Sequence, residues 1–184
     1  MKIINTPIKD LLVIEPRVFG DSRGYFFESF NKKVFEDYGL NYNFVQDNES
    51  MSKFGVLRGL HYQLAPYSQA KLVRVVKGSV YDVAVDLRKG SPTYCKWFGV
   101  ELTEENKKLF LIPEGFAHGF VVLSEEVVFQ YKCTDFYHPE SERGIIFNDP
   151  DLNIDWKLQE KDIHLSKKDS ELPILSKSEH NFIF

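Results

Sequence analysis

Apolar residues in this chain fall in short runs, and Gly, Pro, Asn and Asp interrupt them at strand-length intervals. Side chains alternate faces along a strand, so such runs read as β-strands rather than helices. The pattern predicts strands over Gly24–Phe30, Asn43–Asp47, Gly55–Gln63, Lys71–Val76, Ser79–Leu87, Lys96–Leu102, Lys108–Ile112, Gly119–Leu123, Val127–Thr134 and Gly144–Phe147. Lys77-Gly78 reads as a hairpin turn between two Val-rich runs, and Lys89-Gly90-Ser91-Pro92 as a second turn. Helix signals are few. Asn31 is placed to cap a helix over Lys32–Tyr38 that Gly39 terminates. Thr103-Glu104-Glu105-Asn106 reads as one capped turn, and the chain from about residue 148 to 184 is more polar, with little helix. These elements predict an all-β fold, a β-sandwich or jelly roll, with the whole of residues 1–184 in one domain.

Composition narrows the function classes. Lys+Arg number 23 and Asp+Glu 27, for a net charge of −4, which excludes a generally basic nucleic-acid binder. Hydrophobic residues at 43% and charged residues at 27% exclude a wholly disordered chain. Aromatics reach 15%, which points to an aromatic-rich core or a site built on stacking. Cys95 and Cys133 belong to no C-x-x-C pair, against a thiolate zinc site or a disulfide scaffold. Met1–Pro7 lacks the apolar core of a signal peptide, and no window approaches 18 uninterrupted apolar residues. The expectation is a cytoplasmic protein with neither a membrane nor a nucleic acid as partner.

The candidate chemistry begins with the histidines. His61 lies inside an apolar strand segment, Arg58-Gly59-Leu60-His61-Tyr62-Gln63. His118 lies in Pro113-Glu114-Gly115-Phe116-Ala117-His118-Gly119-Phe120. Either one alone is commonly a satisfied core residue. His138, His164 and His180 sit in polar surroundings and read as surface residues. The spacing Pro113-x-Gly115-x-x-His118 resembles the second motif of the cupin superfamily, a small jelly-roll barrel. Metal-binding cupins carry a His-x-His pair in their first motif, and here that stretch reads His61-Tyr62-Gln63. Two histidines alone leave a divalent metal under-coordinated. The expectation is a cupin barrel with no metal and no cofactor, its histidines free to act as bases or hydrogen-bond partners.

A longer series of motifs is more specific. Asp21-Ser22-Arg23-Gly24-Tyr25-Phe26-Phe27-Glu28, Gln46-Asp47-Asn48, Arg58–Gln63, Gln69-Ala70-Lys71-Leu72-Val73-Arg74, Pro113–Phe120 and Tyr131-Lys132-Cys133-Thr134-Asp135 follow one another in order. Pro139-Glu140-Ser141-Glu142-Arg143-Gly144 and Ser166-Lys167-Lys168-Asp169 continue the series. From about Leu11 to Asp169 the chain resembles the dTDP-4-dehydrorhamnose 3,5-epimerases. The resemblance implies a thymidine diphosphate 4-keto-6-deoxyhexose as substrate, inverted at C3 and C5 through an enolate. Such a reaction needs a base, an acid across the ring and a cation or donor near the C4 oxygen.

The resemblance implies His61 as the base, suited by an unperturbed pKa near neutrality. It supplies Asp169 to orient His61, although Lys167-Lys168-Asp169-Ser170 by itself reads as a solvated turn. It implies Tyr131 as the acid, and strand parity puts Tyr131 on one face with Val127, Phe129 and Cys133. Lys71 is implied as the enolate stabiliser, where a surface lysine is the plainer reading. Arg23 and Arg58 match the diphosphate-binding positions, and a guanidinium fork suits phosphate. Arg58 and His61 point to opposite faces of a regular strand, unless a bulge at Gly59 realigns them. Phe26, Glu28, Gln46, Asn48, His118, Glu142 and Lys168 are further implied binding residues, and Tyr137 is implied to stack on the base. The N-terminal section, about residues 1–50, is implied to cross to a second subunit, which makes a homodimer. Alternatives are a 3- or 5-monoepimerase or ketoisomerase on another nucleotide-linked 4-ketosugar, a metal-dependent cupin, and a non-catalytic sugar-binding sandwich.

Overall fold

The computed structural model describes residues 1–184. Its strands are β1 (Lys2–Asn5), β2 (Leu12–Glu15), β3 (Val18–Asp21), β4 (Gly24–Phe27), β5 (Gln46–Lys53), β6 (Leu57–Gln63) and β7 (Lys71–Lys77). They continue with β8 (Ser79–Asp86), β9 (Trp97–Thr103), β10 (Leu109–Ile112), β11 (Phe116–Val122), β12 (Glu126–Cys133) and β13 (Glu142–Gly144). Two short helices, α1 (Lys32–Asp37) and α2 (Lys167–Ser170), complete the regular elements beside three 3₁₀ turns. One antiparallel sheet has the order β1-β2-β10-β7-β12-β5, and the other β13-β6-β11-β8-β9. Strands β3 and β4 form a separate hairpin. The result is a cupin-like jelly roll.

The two sheets face each other over an inner core. Val73, Val75, Phe110, Val127 and Phe129 reach it from the first sheet, and Val80, Ala84, Phe120 and Val122 from the second. The Phe120 and Phe129 rings stack across the gap with centroids 4.2 Å apart. The outer face of the second sheet is covered by the C-terminal segment, where Phe147, Leu152, Trp156, Leu175 and Phe182 pack on Leu57, Leu60, Val83 and Val85. The outer face of the first sheet is covered near α1, where Phe35 joins Ile14, Leu72, Leu109 and Leu111. Asn31 caps α1 by accepting the Val34 N–H, as its position predicts.

Several elements differ from the sequence reading. β1, β2 and β3 were not predicted; they are four-residue strands in the first part of the chain, and β1 and β2 are held by pairing with each other and, through β2, with β10. The strand expected over Asn43–Asp47 is instead β5, Gln46–Lys53. Its sequence is almost entirely polar, and eight consecutive register pairs with β12 hold it in place. The strand expected over Gly144–Phe147 is β13, Glu142–Gly144, and Ile145 and Phe147 lie beyond it as buried packing residues. The polar segment after residue 148 contributes a second apolar cluster through a few isolated side chains. His180 is not a free surface residue, since its Nε2 lies 2.6 Å from the Tyr94 hydroxyl.

Candidate active site

Polar side chains occupy part of the barrel interior. Inward positions of β6, β8 and β11 carry His61, Asp82 and His118, while those of β7 and β12 carry Lys71, Tyr131 and Cys133. A cavity of about 370 Å³ opens here, walled by His61 and Gln63 from one sheet and by Lys71, Tyr131 and Cys133 from the other. Gln46, Asn48, Tyr62, Gln69, Tyr137 and Glu142 complete the wall. His61 and Tyr131 thus line one space from opposing sheets.

His61 is braced from behind. Its Nε2 lies 2.6 Å from Asp169 Oδ1, in a close but bent contact. Asp169 is buried in α2 and reaches β6 only through the tertiary fold. Burial works to raise its carboxyl, but the contact with His61, the Ser166 hydroxyl and the Gly59 N–H outweigh burial and hold it below the usual carboxylate range. An ionised Asp169 keeps the proton on the facing nitrogen of His61 and stabilises an imidazolium if one forms.

Tyr131 is half-buried. Burial, reinforced by Cys133, pushes its phenol above the ordinary value, and Arg58 opposes this only in part. The phenol therefore keeps its proton at neutral pH. Lys71 is pushed down by burial, against the pull of Cys133, Asp82 and Glu142, none of which hydrogen-bonds it. A part-buried ammonium with no hydrogen-bonded counter-charge, facing the cavity, is well served by an oxyanion placed beside it.

Arg58 joins the same side as His61 through a bulge. His118 pairs with His61 and Phe120 with Arg58, so β6 carries one residue more than β11 over this interval. Gly59 sits at the irregularity with φ +118, and a Cβ there would come within 2.6 Å of Gly119 Cα and His118 O. Arg58 Nε donates to Ser52 Oγ at 3.1 Å.

His118 Nε2 lies 2.9 Å from Asp82 Oδ1, with both side chains buried. Burial pushes His118 down and Asp82 up, each toward its neutral form, and their contact resists both shifts. Glu142 is held between the Tyr137 hydroxyl and Lys168 Nζ, each at 2.6 Å. The hydrogen bond to Glu142 leaves the Tyr137 phenol pushed up to about 12. α2 thereby serves the site twice, through Lys168 and Asp169.

Three sequence-predicted residues stand apart from this cavity in the single chain. Arg23 is exposed on the β3–β4 turn and pairs with Asp21 at 2.6 Å. Phe26 is 67% exposed on β4, and Glu28 accepts a hydrogen bond from Asn31 Nδ2. Residues the sequence reading did not assign are Gln63, Gln69, Asp82 and Cys133. Asp82 had a signal, since it is a carboxylate in the middle of the Val-rich run of β8. No group of three or more His, Cys, Asp or Glu is arranged to hold a metal ion. No helix is long and apolar enough to cross a membrane.

Fold and site together define an acid–base type of jelly-roll barrel, with a carboxylate-braced imidazole and a protonated phenol around one cavity. The chain belongs to the dTDP-4-dehydrorhamnose 3,5-epimerase family, whose model matches residues 5–177. It is 58% identical to the dTDP-4-dehydrorhamnose 3,5-epimerase of Shigella flexneri, over 91% of this chain and 96% of the relative. The crystal structure of dTDP-4-dehydrorhamnose 3,5-epimerase from Elizabethkingia anophelis NUHP1 superposes with a TM-score of 0.92 at 57% identity, covering 96% of this chain and 97% of that one. The Legionella pneumophila dTDP-6-deoxy-D-glucose-3,5-epimerase, solved in complex with dTDP-4-keto-L-rhamnose, gives 0.92 at 55% identity, covering 96% and 93%.

Proposed function

We infer that the protein inverts C3 and C5 of dTDP-4-dehydro-6-deoxy-D-glucose to give dTDP-4-dehydro-L-rhamnose. The observation that carries this reading is the pairing of an Asp169-braced His61 with a protonated Tyr131 on opposing sheets around one cavity. The C4 ketone acidifies the protons on C3 and C5. His61 removes such a proton from one face, the C4 oxygen becomes an enolate, and Lys71 meets its charge. Tyr131 returns a proton from the other face, which inverts the carbon. A base and an acid at fixed places serve both carbons if the ring shifts between the two events. Each step is a proton transfer, so no electron carrier enters the balance.

The diphosphate and thymine call for cations and polar edges. Arg58 is the diphosphate ligand within this chain, Asn48 and Gln46 border the base, and Tyr137 stacks on it with its hydroxyl tied to Glu142. His118 hydrogen-bonds within the pocket, and Lys168 holds Glu142. Arg23, Phe26 and Glu28 act on the cavity of a second subunit. Support for that exchange is their distance from their own cavity and the exposed apolar side chains Val18, Phe19, Tyr25 and Phe26 on the β3–β4 hairpin. The homodimer and the one-domain organisation of residues 1–184 belong to this reading. The cytoplasm, where nucleotide sugars are made, is the proposed compartment.

The test is turnover in deuterium oxide with a 4-ketoreductase added to trap the product. Label at both C3 and C5 of a rhamnose-configured product is the expected result. Label at one carbon would instead make the protein a monoepimerase.

A further inference from the structure

The short loop after β12 carries Tyr137, and three glutamines hold four of its backbone groups, from Asp135 to His138. Gln69 Nε2 donates to Asp135 O at 2.7 Å. Gln63 Nε2 donates to Phe136 O at 3.1 Å. Gln46 Oε1 accepts the Tyr137 N–H at 3.2 Å, and Gln63 Oε1 accepts the His138 N–H at 2.7 Å. Gln63 also donates to Tyr67 O at 2.7 Å, so it joins this loop to the one between β6 and β7. The two loops meet again where the Tyr67 and His138 rings stack with centroids 3.8 Å apart.

Gln63 is buried, and its amide has one carbonyl oxygen and two N–H donors. All three are used by the two loops, which leaves it no further donor for a ligand. It occupies the position where a metal-binding cupin would carry its second histidine. Here that position ties backbone together. Tyr137, by contrast, is 53% exposed and its side chain has one polar contact, to Glu142. A ring so exposed has little packing to place it, so its position follows from the backbone on either side.

We propose that Gln63, with Gln69, is a positioning residue that presents the Tyr137 ring to the nucleoside end of the substrate. The proposal rests on the stacking role assigned to Tyr137 above. Gln63 acts on nucleotide affinity through the peptide groups of Phe136 and His138, and leaves the His61–Asp169 and Tyr131 chemistry untouched. The site thereby separates a clamp for the nucleotide from the groups that move protons.

A double-mutant cycle tests this, with thymidine diphosphate as the calorimetric probe on the full chain. Gln63→Leu is expected to weaken thymidine diphosphate about tenfold and to raise KM similarly, since a buried polar linkage is lost, while kcat stays within about threefold. Tyr137→Ala is expected to weaken the same probe. In the Tyr137→Ala background, Gln63→Leu should add less than about twofold, because the ring it positions is gone. Gln69→Leu provides the same cycle at a less buried position should Gln63→Leu lower the thermal midpoint severely. Independent, multiplicative losses in both cycles would overturn the positioning role, as would a fall in kcat with KM unchanged. If Tyr137→Ala alone bound thymidine diphosphate like the parent, the stacking reading itself would fall, and the proposal with it.

Discussion

Two parts of the barrel interior are built on the same strands yet serve opposite ends. On β12, Val127 and Phe129 are fully buried in the apolar core, and the next inward positions, Tyr131 and Cys133, line the cavity. β7 makes the change in the other direction, from Lys71 to Val73 and Val75. β11 passes from His118 to Phe120 and Val122. Alternation decides which residues point inward in both parts, and the residue type then decides whether the place is core or site. Burying His118 and Asp82 works against stability, because charge is costly away from water. The apolar part offsets that cost with close-packed rings and branched chains.

The largest effect expected from breaking this division is catalytic. His61→Asn should lower kcat by about 10²–10⁴-fold and abolish deuterium uptake at both carbons, with a thermal midpoint near the parent's. Parental turnover in that variant would remove His61 from the base role. In the apolar part, Phe129→Ala should cost about 3–5 kcal/mol in urea unfolding, because it empties a fully buried, stacked position. Tyr131→Phe, two residues away on the same face, should lower kcat about 10²-fold while changing stability by less than about 1 kcal/mol. Exchange without inversion is its expected signature in the labelled product.

The smallest effect sharpens the comparison through pH. Burial raises the Asp82 carboxyl above its unfolded value. The folded state therefore binds that proton more tightly than the unfolded chain does. Its contribution favours folding in acid and turns unfavourable as pH rises from the unfolded value through the folded one. Asp82→Asn keeps an acceptor for His118 and removes the charge. Its urea midpoint should exceed the parent's at pH 7, and the two should converge at low pH. A lower midpoint at pH 7 would mean that the ionised Asp82 is stabilising where it sits.

Legibility in the sequence followed the length and regularity of each pattern. β7, β8 and β12 are seven or eight residues long and show their inward faces plainly. β5, with the sequence Gln46–Lys53, has no such apolar face, because its inward positions meet the polar cavity and the rim. Arg58 needed the bulge at Gly59 to share a side with His61, and that bulge depends on how β6 meets β11. Gln63 was visible only as a missing histidine, since its partners lie on loops that come together after folding.

Local order along the chain was enough for the all-β class, the α1 cap and the inward parity of Tyr131, because each rests on neighbours within a few residues. The motif series was enough for the family and for which side chains to examine. Bringing Asp169 to His61 across more than a hundred residues, closing three glutamines on one loop and setting Arg23 away from its own cavity all took the folded barrel. Those relations join sheets, loops and a terminal helix that touch only in three dimensions, and no one-dimensional period carries them.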